Sequence, residues 1–141
     1  MSRIYWDTML FIYLLEDNPH FAKRVDAIRL RMQERNDQLL TGAFTFGEVL
    51  AGVYRQGNTG LADKTRNELE GVVSEIVPFD LAAADRYAQI RGSQGLPAPD
   101  AIHLACAAEA RTDLFLTNDR RLVGKFVPGI QFIASLDTQF F

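Results

Sequence analysis

The stretch Arg3-Ile4-Tyr5-Trp6-Asp7-Thr8-Met9-Leu10-Phe11-Ile12-Tyr13-Leu14-Leu15-Glu16 decides how this chain folds. Ile4, Tyr5 and Trp6 are β-branched or aromatic, and such side chains suit a strand, here residues 3–7. Thr8 is placed to cap a helix over residues 9–16. Asn18-Pro19 breaks that helix, since proline cannot continue it. The product is one strand–helix unit with a carboxylate at the joint. Asp7 is the only charged residue between Arg3 and Glu16.

The same alternation runs on to the C-terminus. Residues 21–35 are amphipathic, with Phe21, Val25, Ile28 and Met32 on one stripe. Residues 38–41 read as a second strand, and 43–56 as an apolar helix stopped by Gly57. A more charged helix spans 61–73, and a third strand 75–78. Residues 80–91 are helical up to Gly92. Another helix covers 99–111, with Pro99 in the first turn, where its missing N–H costs nothing. A fourth strand at 114–117, a short helix at 120–126 and a fifth strand at 130–134 complete the chain. Strands alternating with helices imply a three-layer α/β/α domain, its parallel sheet covered on both faces. Such sheets bind ligands outside the carboxyl ends of their strands, where strand order reverses.

Bulk properties narrow the possibilities. The length of 141 residues fits a single domain, residues 1–141. The longest apolar run, residues 9–15, is far short of the roughly 20 residues a membrane span needs. No apolar stretch leads into a small-residue cleavage site, so a signal peptide is not expected. The lone Cys106 can form neither a disulfide framework nor a zinc quartet. It reads as a small core residue in a cytoplasmic protein. A net charge of −3 argues against a passive nucleic-acid binder, which would be basic. Setting four acids aside for a metal site turns that balance to +1.

Those four are Asp7, Glu48, Asp100 and Asp119. Glu48 is the only charged residue in 39–54, and Asp100 the only one in 96–108. A carboxylate in an apolar stretch is costly to bury unless it is paired or binds metal. Topology gives the acids a common place. Asp7 ends the first strand, and Asp119 follows the fourth. Asp100 opens a helix running back along the sheet, and Glu48 lies early in the helix after strand two. All four therefore sit at the carboxyl edge, whereas Asp113 precedes its strand and belongs at the opposite one. Clustered carboxylates repel and raise one another's pKa unless cations intervene. Hard oxygen donors suit Mg²⁺ or Mn²⁺. Two such ions about 4 Å apart can activate a water and stabilise a leaving oxygen in phosphodiester cleavage. Simpler roles compete at each site: turn formation for Asp7 and Asp119, a helix-dipole contact for Asp100 and a solvent-facing position for Glu48.

The segments YWDTMLFIYLLED (5–17), TFGEVLAGV (45–53), APDAIHLACA (98–107) and LFLTNDRRL (114–122) resemble the PIN-domain ribonucleases. The closer likeness is to the VapC-type toxins of bacterial and archaeal toxin–antitoxin pairs. PFDLAAADRYAQIR (78–91) and Leu136-Asp137 extend it along nearly the whole chain. The resemblance implies a five-stranded parallel sheet ordered 3-2-1-4-5. It also implies Mg²⁺- or Mn²⁺-dependent endoribonuclease activity with one or two ions per site, a bound antitoxin that blocks the acids, and a homodimer or toxin–antitoxin hetero-oligomer. Asp7, Glu48, Asp100 and Asp119 fall on the family's acidic positions. Thr8, Thr117 and Asn118 also match, and could hold waters or orient the carboxylates; capping and turn formation are their plainer roles. One departure stands out. The family usually carries Asn or Ser two residues after the first Asp, and Met9 stands here. That bears on a polar contact to water or substrate and removes no acid.

Other residues read more simply. His103 shares a helix face with Asp100, but a structural or surface role fits it better than a catalytic one. Arg91 suits the C-terminal dipole of its helix. Arg120, Arg121 and Lys125 could steer RNA phosphates, although exposed charge is the default for such a run. Phe140 and Phe141 form an apolar tail. The alternative to a ribonuclease is a catalytically impaired domain of the same fold that binds RNA or protein. Haloacid-dehalogenase-like phosphatases need a second Asp where Met9 stands. Response-regulator receivers need a Lys at the end of the last strand, where Ala134-Ser135 stands.

Overall fold

A computed structural model describes residues 1–138; Phe140 and Phe141 lie outside the described residues. The elements run β1 (Arg3–Trp6), α1 (Thr8–Leu15), α2 (Ala22–Arg35), β2 (Gln38–Gly42), α3 (Ala43–Arg55), α4 (Thr59–Val72), β3 (Glu75–Val77), α5 (Leu81–Gln94), α6 (Ala98–Glu109), β4 (Thr112–Thr117) and β5 (Ile130–Ser135). The five strands form one sheet in the order β3-β2-β1-β4-β5. Every neighbouring pair is parallel. This is the α/β/α arrangement and strand order expected.

β1 lies at the centre, with Tyr5 opposite Leu40 on one side and Phe115 on the other. Successive side chains alternate between faces, and both faces are buried, so β1 reads as a continuous apolar run. Tyr5, Leu40 and Phe115 pack with Ala101, Leu104 and Ala105 of α6 and with Ala83 and Ile90 of α5. Ile4, Trp6, Leu39 and Leu116 face the other way, onto Leu10 and Phe11 of α1, Val25 and Ile28 of α2, Val49 of α3 and Leu69 of α4. Small alanines along α6 let its backbone lie close to the sheet.

The structure corrects four local expectations. Asp7, not Thr8, caps α1: its carboxylate accepts from the Thr8 N–H at 2.7 Å. Helix α4 begins at Thr59, because Asn58 caps it by accepting from the Leu61 N–H at 3.1 Å. Helix α5 continues through Gly92 and ends at Gly95, in the left-handed region at φ 62°. An exposed mid-helix glycine costs only about 1 kcal/mol relative to alanine. Residues 120–126 form no helix. They are a series of tight turns with Leu122 N–H to Asp119 C=O at 3.1 Å and Lys125 N–H to Leu122 C=O at 3.1 Å, and Gly124 at φ 87° ends them.

Two details fix the amino edge of the sheet and the approach to β5. Asp113 accepts from the Arg3 N–H at 2.8 Å, at the strands' amino edge and away from the other acids. Gly129 leads into β5 at φ 102°, and a Cβ there would come within 2.6 Å of the Ala108 carbonyl. Backbone cannot yield as a side chain can. Gly129→Ala is therefore expected to cost about 2–3 kcal/mol, read as a lower denaturant midpoint at unchanged m-value.

Candidate active site

The carboxyl ends of β1 and β4 are neighbours in the sheet, and their chains then leave on different paths. An open cleft of about 780 Å³ lies there, lined by Asp7, Glu48, Asp100 and Asp119 together with Met9, Arg55 and His103. The sheet thus places its cleft where strand order reverses. All four acids predicted from sequence line it.

Each acid is held differently. Asp7 uses both oxygens: Oδ1 accepts from the Thr8 N–H at 2.7 Å and Oδ2 from the Thr117 hydroxyl at 2.9 Å. The Thr117 hydroxyl oxygen also accepts from the Asp119 N–H at 3.0 Å, so one buried threonine ties two acids together. Asn118 donates to the Tyr13 hydroxyl at 2.9 Å, steadying the loop between them. Glu48 is half-buried and does not simply face solvent; its Oε1 accepts from the Thr8 hydroxyl at 2.6 Å and lies 2.8 Å from His103 Nε2. Asp100 sits in the first turn of α6. Asp119 is clasped by Arg121, with Nη2 2.6 Å from Oδ2 and Nε 2.9 Å from Oδ1. The same guanidinium reaches to 3.7 Å from Asp100.

The charges follow this geometry. Burial raises the Asp100 carboxyl above the ordinary carboxylate range, and the nearby negative charges of Asp119 and Asp7 raise it further. Burial also pushes Glu48 up, but hydrogen bonds from His103 and Thr8 outweigh it and hold that group low. Arg121 lowers Asp119 by hydrogen bonding. Among the described residues, no three His, Cys, Asp or Glu side chains converge closely enough to hold an ion as they stand. Arg121 supplies the positive charge instead. The donor set still fits a hard divalent ion: it is all oxygen, and Asp100, raised first by burial and then by the charges of Asp119 and Asp7, is a carboxyl that a cation would help to ionise.

Of the three cations expected to meet phosphates, Arg120 and Arg121 line the cleft, and Arg120 is also ion-paired to Asp137. Lys125 is exposed and does not line it. Arg91 donates to the Leu96 carbonyl at 3.1 Å and meets no site acid among the described residues. Sequence reasoning missed Arg55, seven residues after Glu48 and hence two turns along the same helix face. Of the two roles expected for His103, structural or surface, the structure excludes the surface one. That side chain is 3% exposed and sits among the site residues.

Fold and cleft together define a class: a doubly wound α/β domain whose acids converge at the switch point of its sheet. The chain belongs to the PIN domain family, whose profile matches residues 4–124. No curated protein matches it in sequence. Solved structures match it in fold. VapBC2 from Rickettsia felis, bound to a DNA fragment from its promoter, gives a TM-score of 0.73 at 15% identity, covering 94% of this chain and 98% of that one. FitAcB from Neisseria gonorrhoeae gives 0.65 at 26% identity, covering 82% and 87%. A toxin–antitoxin complex from Klebsiella pneumoniae gives 0.65 at 22%, covering 90% and 94%. No helix among the described residues is long and apolar enough to cross a membrane.

Proposed function

We propose that this chain is a VapC-type toxin, a Mg²⁺- or Mn²⁺-dependent endoribonuclease of a toxin–antitoxin pair. One observation carries the reading: four acids, three of them isolated in apolar segments, line one cleft at the switch point of a PIN domain. The similar structures, which include toxin–antitoxin complexes, support the biological setting.

Asp7, Glu48, Asp100 and Asp119 would hold one or two divalent ions. When bound, such ions supply an activated water and stabilise the oxygen leaving the phosphodiester. The remaining steps belong to the protein. Thr117 fixes Asp7 and the backbone of Asp119, while Thr8 and His103 fix Glu48. Arg55, Arg120 and Arg121 offset the acids' charge at the cleft and draw in RNA phosphates; Lys125 acts only from a distance. A cognate antitoxin would block the site by presenting a basic side chain to the acids, within a homodimer or a toxin–antitoxin hetero-oligomer. A complex that leaves the cleft open to solvent would count against that mode of inhibition.

Met9 favours a second reading. It lines the cleft at 42% exposure and offers no polar atom beyond a weakly accepting sulfur. An impaired domain would retain RNA without cutting it. Cleavage of a defined RNA panel with Mg²⁺, with Mn²⁺ and with excess EDTA separates the two. Metal-dependent fragments are expected, and EDTA should abolish them. Full cleavage in EDTA would sink the metal reading, and RNA bound intact with either metal would favour the impaired domain.

A further inference from the structure

We infer that His103 is a positioning residue that aims one oxygen of Glu48 into the cleft, and that Tyr5 fixes His103 for this task. The inference rests on the metal-dependent reading of the cleft. Its observations lie behind the acids.

His103 Nε2 is 2.8 Å from Glu48 Oε1 and 3.0 Å from the Thr8 hydroxyl. Its other nitrogen, Nδ1, is 2.8 Å from the Tyr5 hydroxyl. An ionised carboxylate only accepts, so Nε2 carries a hydrogen. Tyr5 is fully buried, and its phenol O–H is a hydrogen-bond donor. The phenol therefore donates to Nδ1, and the imidazole is fixed as the tautomer that faces Glu48 with N–H.

The far end of this chain has little room to move. The Tyr5 ring stacks on Phe115 at 5.2 Å. A Cβ on Gly42 would fall 2.7 Å from the Tyr5 hydroxyl oxygen, so only glycine leaves that oxygen its place. Phe44 lies against the imidazole at 5.4 Å between ring centroids. The near end shows the consequence. Thr8 and His103 both engage Glu48 Oε1, and no hydrogen bond among the described residues engages Oε2. One oxygen is tethered from the buried side and the other is left for a ligand.

Calorimetric titration of the full chain with Mn²⁺, without RNA, tests this, alongside metal-free thermal melts to confirm folding. His103→Leu is expected to weaken Mn²⁺ binding about 10- to 100-fold, the usual loss when an outer partner of a ligand goes. His103→Gln, whose amide N–H can still reach Glu48, should recover to within about threefold of wild type. Tyr5→Phe should weaken binding in the same direction as His103→Leu but less. In a Glu48→Gln background, His103→Leu should cause no further loss, because nothing is left to aim. Wild-type affinity in a folded His103→Leu would overturn the inference, as would failed recovery by a folded His103→Gln. If His103→Leu does not fold, unchanged affinity in Tyr5→Phe overturns it. Wild-type protein that binds no Mn²⁺ would overturn the metal reading and this inference together, whereas a wild type that binds beside unaffected variants overturns this inference alone.

Discussion

Asp100→Asn is expected to abolish RNA cleavage and, in the metal-free protein, to raise the melting temperature. Two effects oppose each other at this residue. A carboxylate in the first turn of α6 gains up to about 1 kcal/mol from the helix dipole. Burial and the charges of Asp119 and Asp7 act against it, and they win, because the net shift of the carboxyl is upward. A pKa higher in the folded than in the unfolded state means that ionised Asp100 costs stability. The cost is absent at pH values below the unfolded carboxylate range, where both states are protonated. It grows as pH rises through that range and levels off above the folded value. The gain from Asn should therefore be present at neutral pH and vanish in acid, as thermal melts across pH would show. Cleavage should meanwhile fall by about 10³-fold, since a bound metal contributes several kcal/mol of transition-state stabilisation. Undiminished cleavage would remove Asp100 from the metal site. A lower neutral-pH melting temperature would mean that the helix dipole outweighs the repulsion.

Thr117→Val should be the most damaging change that leaves every acid in place. The shapes match, but the hydroxyl is lost. Thr117 is fully buried and both donates to Asp7 and accepts from the Asp119 N–H. Valine would leave a carboxylate oxygen and a backbone N–H without those partners. Each such orphan costs about 1–3 kcal/mol, less whatever water recovers. A loss of about 2–4 kcal/mol is expected on that basis, together with a 10- to 100-fold drop in activity from misdirected ligands. Thr117→Ser keeps the hydroxyl and should recover most of the activity. Equal loss in both variants would assign the effect to packing of the methyl group.

Much of this was legible in the chain, for reasons that can be named. Ile4-Tyr5-Trp6 announced a strand because the sheet's centre is buried on both faces and selects nothing polar. Asp7, Glu48 and Asp100 stood out because their neighbours carry no charge. Boundaries were harder to place. Gly92 and Gly95 are the same residue type, and only the left-handed turn at Gly95 distinguishes the end of the helix from its interior. Arg120–Arg121–Leu122 has good helix formers, yet Asp119 and Gly124 confine it to turns. The partners of His103 could not be read, because Tyr5 and Glu48 come from other elements and no spacing along α6 reveals them.

Asp7 does two jobs with one carboxylate: it starts α1 and it faces the cleft. Most substitutions lose both jobs at once. Asp7→Ala would forfeit the cap, worth about 1 kcal/mol, along with any ligand role, whereas asparagine keeps the cap. Asp100 caps no helix, and burial beside Asp119 and Asp7 makes its charge a net cost to the fold. Mutational silencing of this protein is therefore biased. Routes through residue 100 preserve or improve foldedness, while most routes through residue 7 damage it. Inactive descendants that still fold, and could still occupy a partner, should accumulate changes at the third acid before the first.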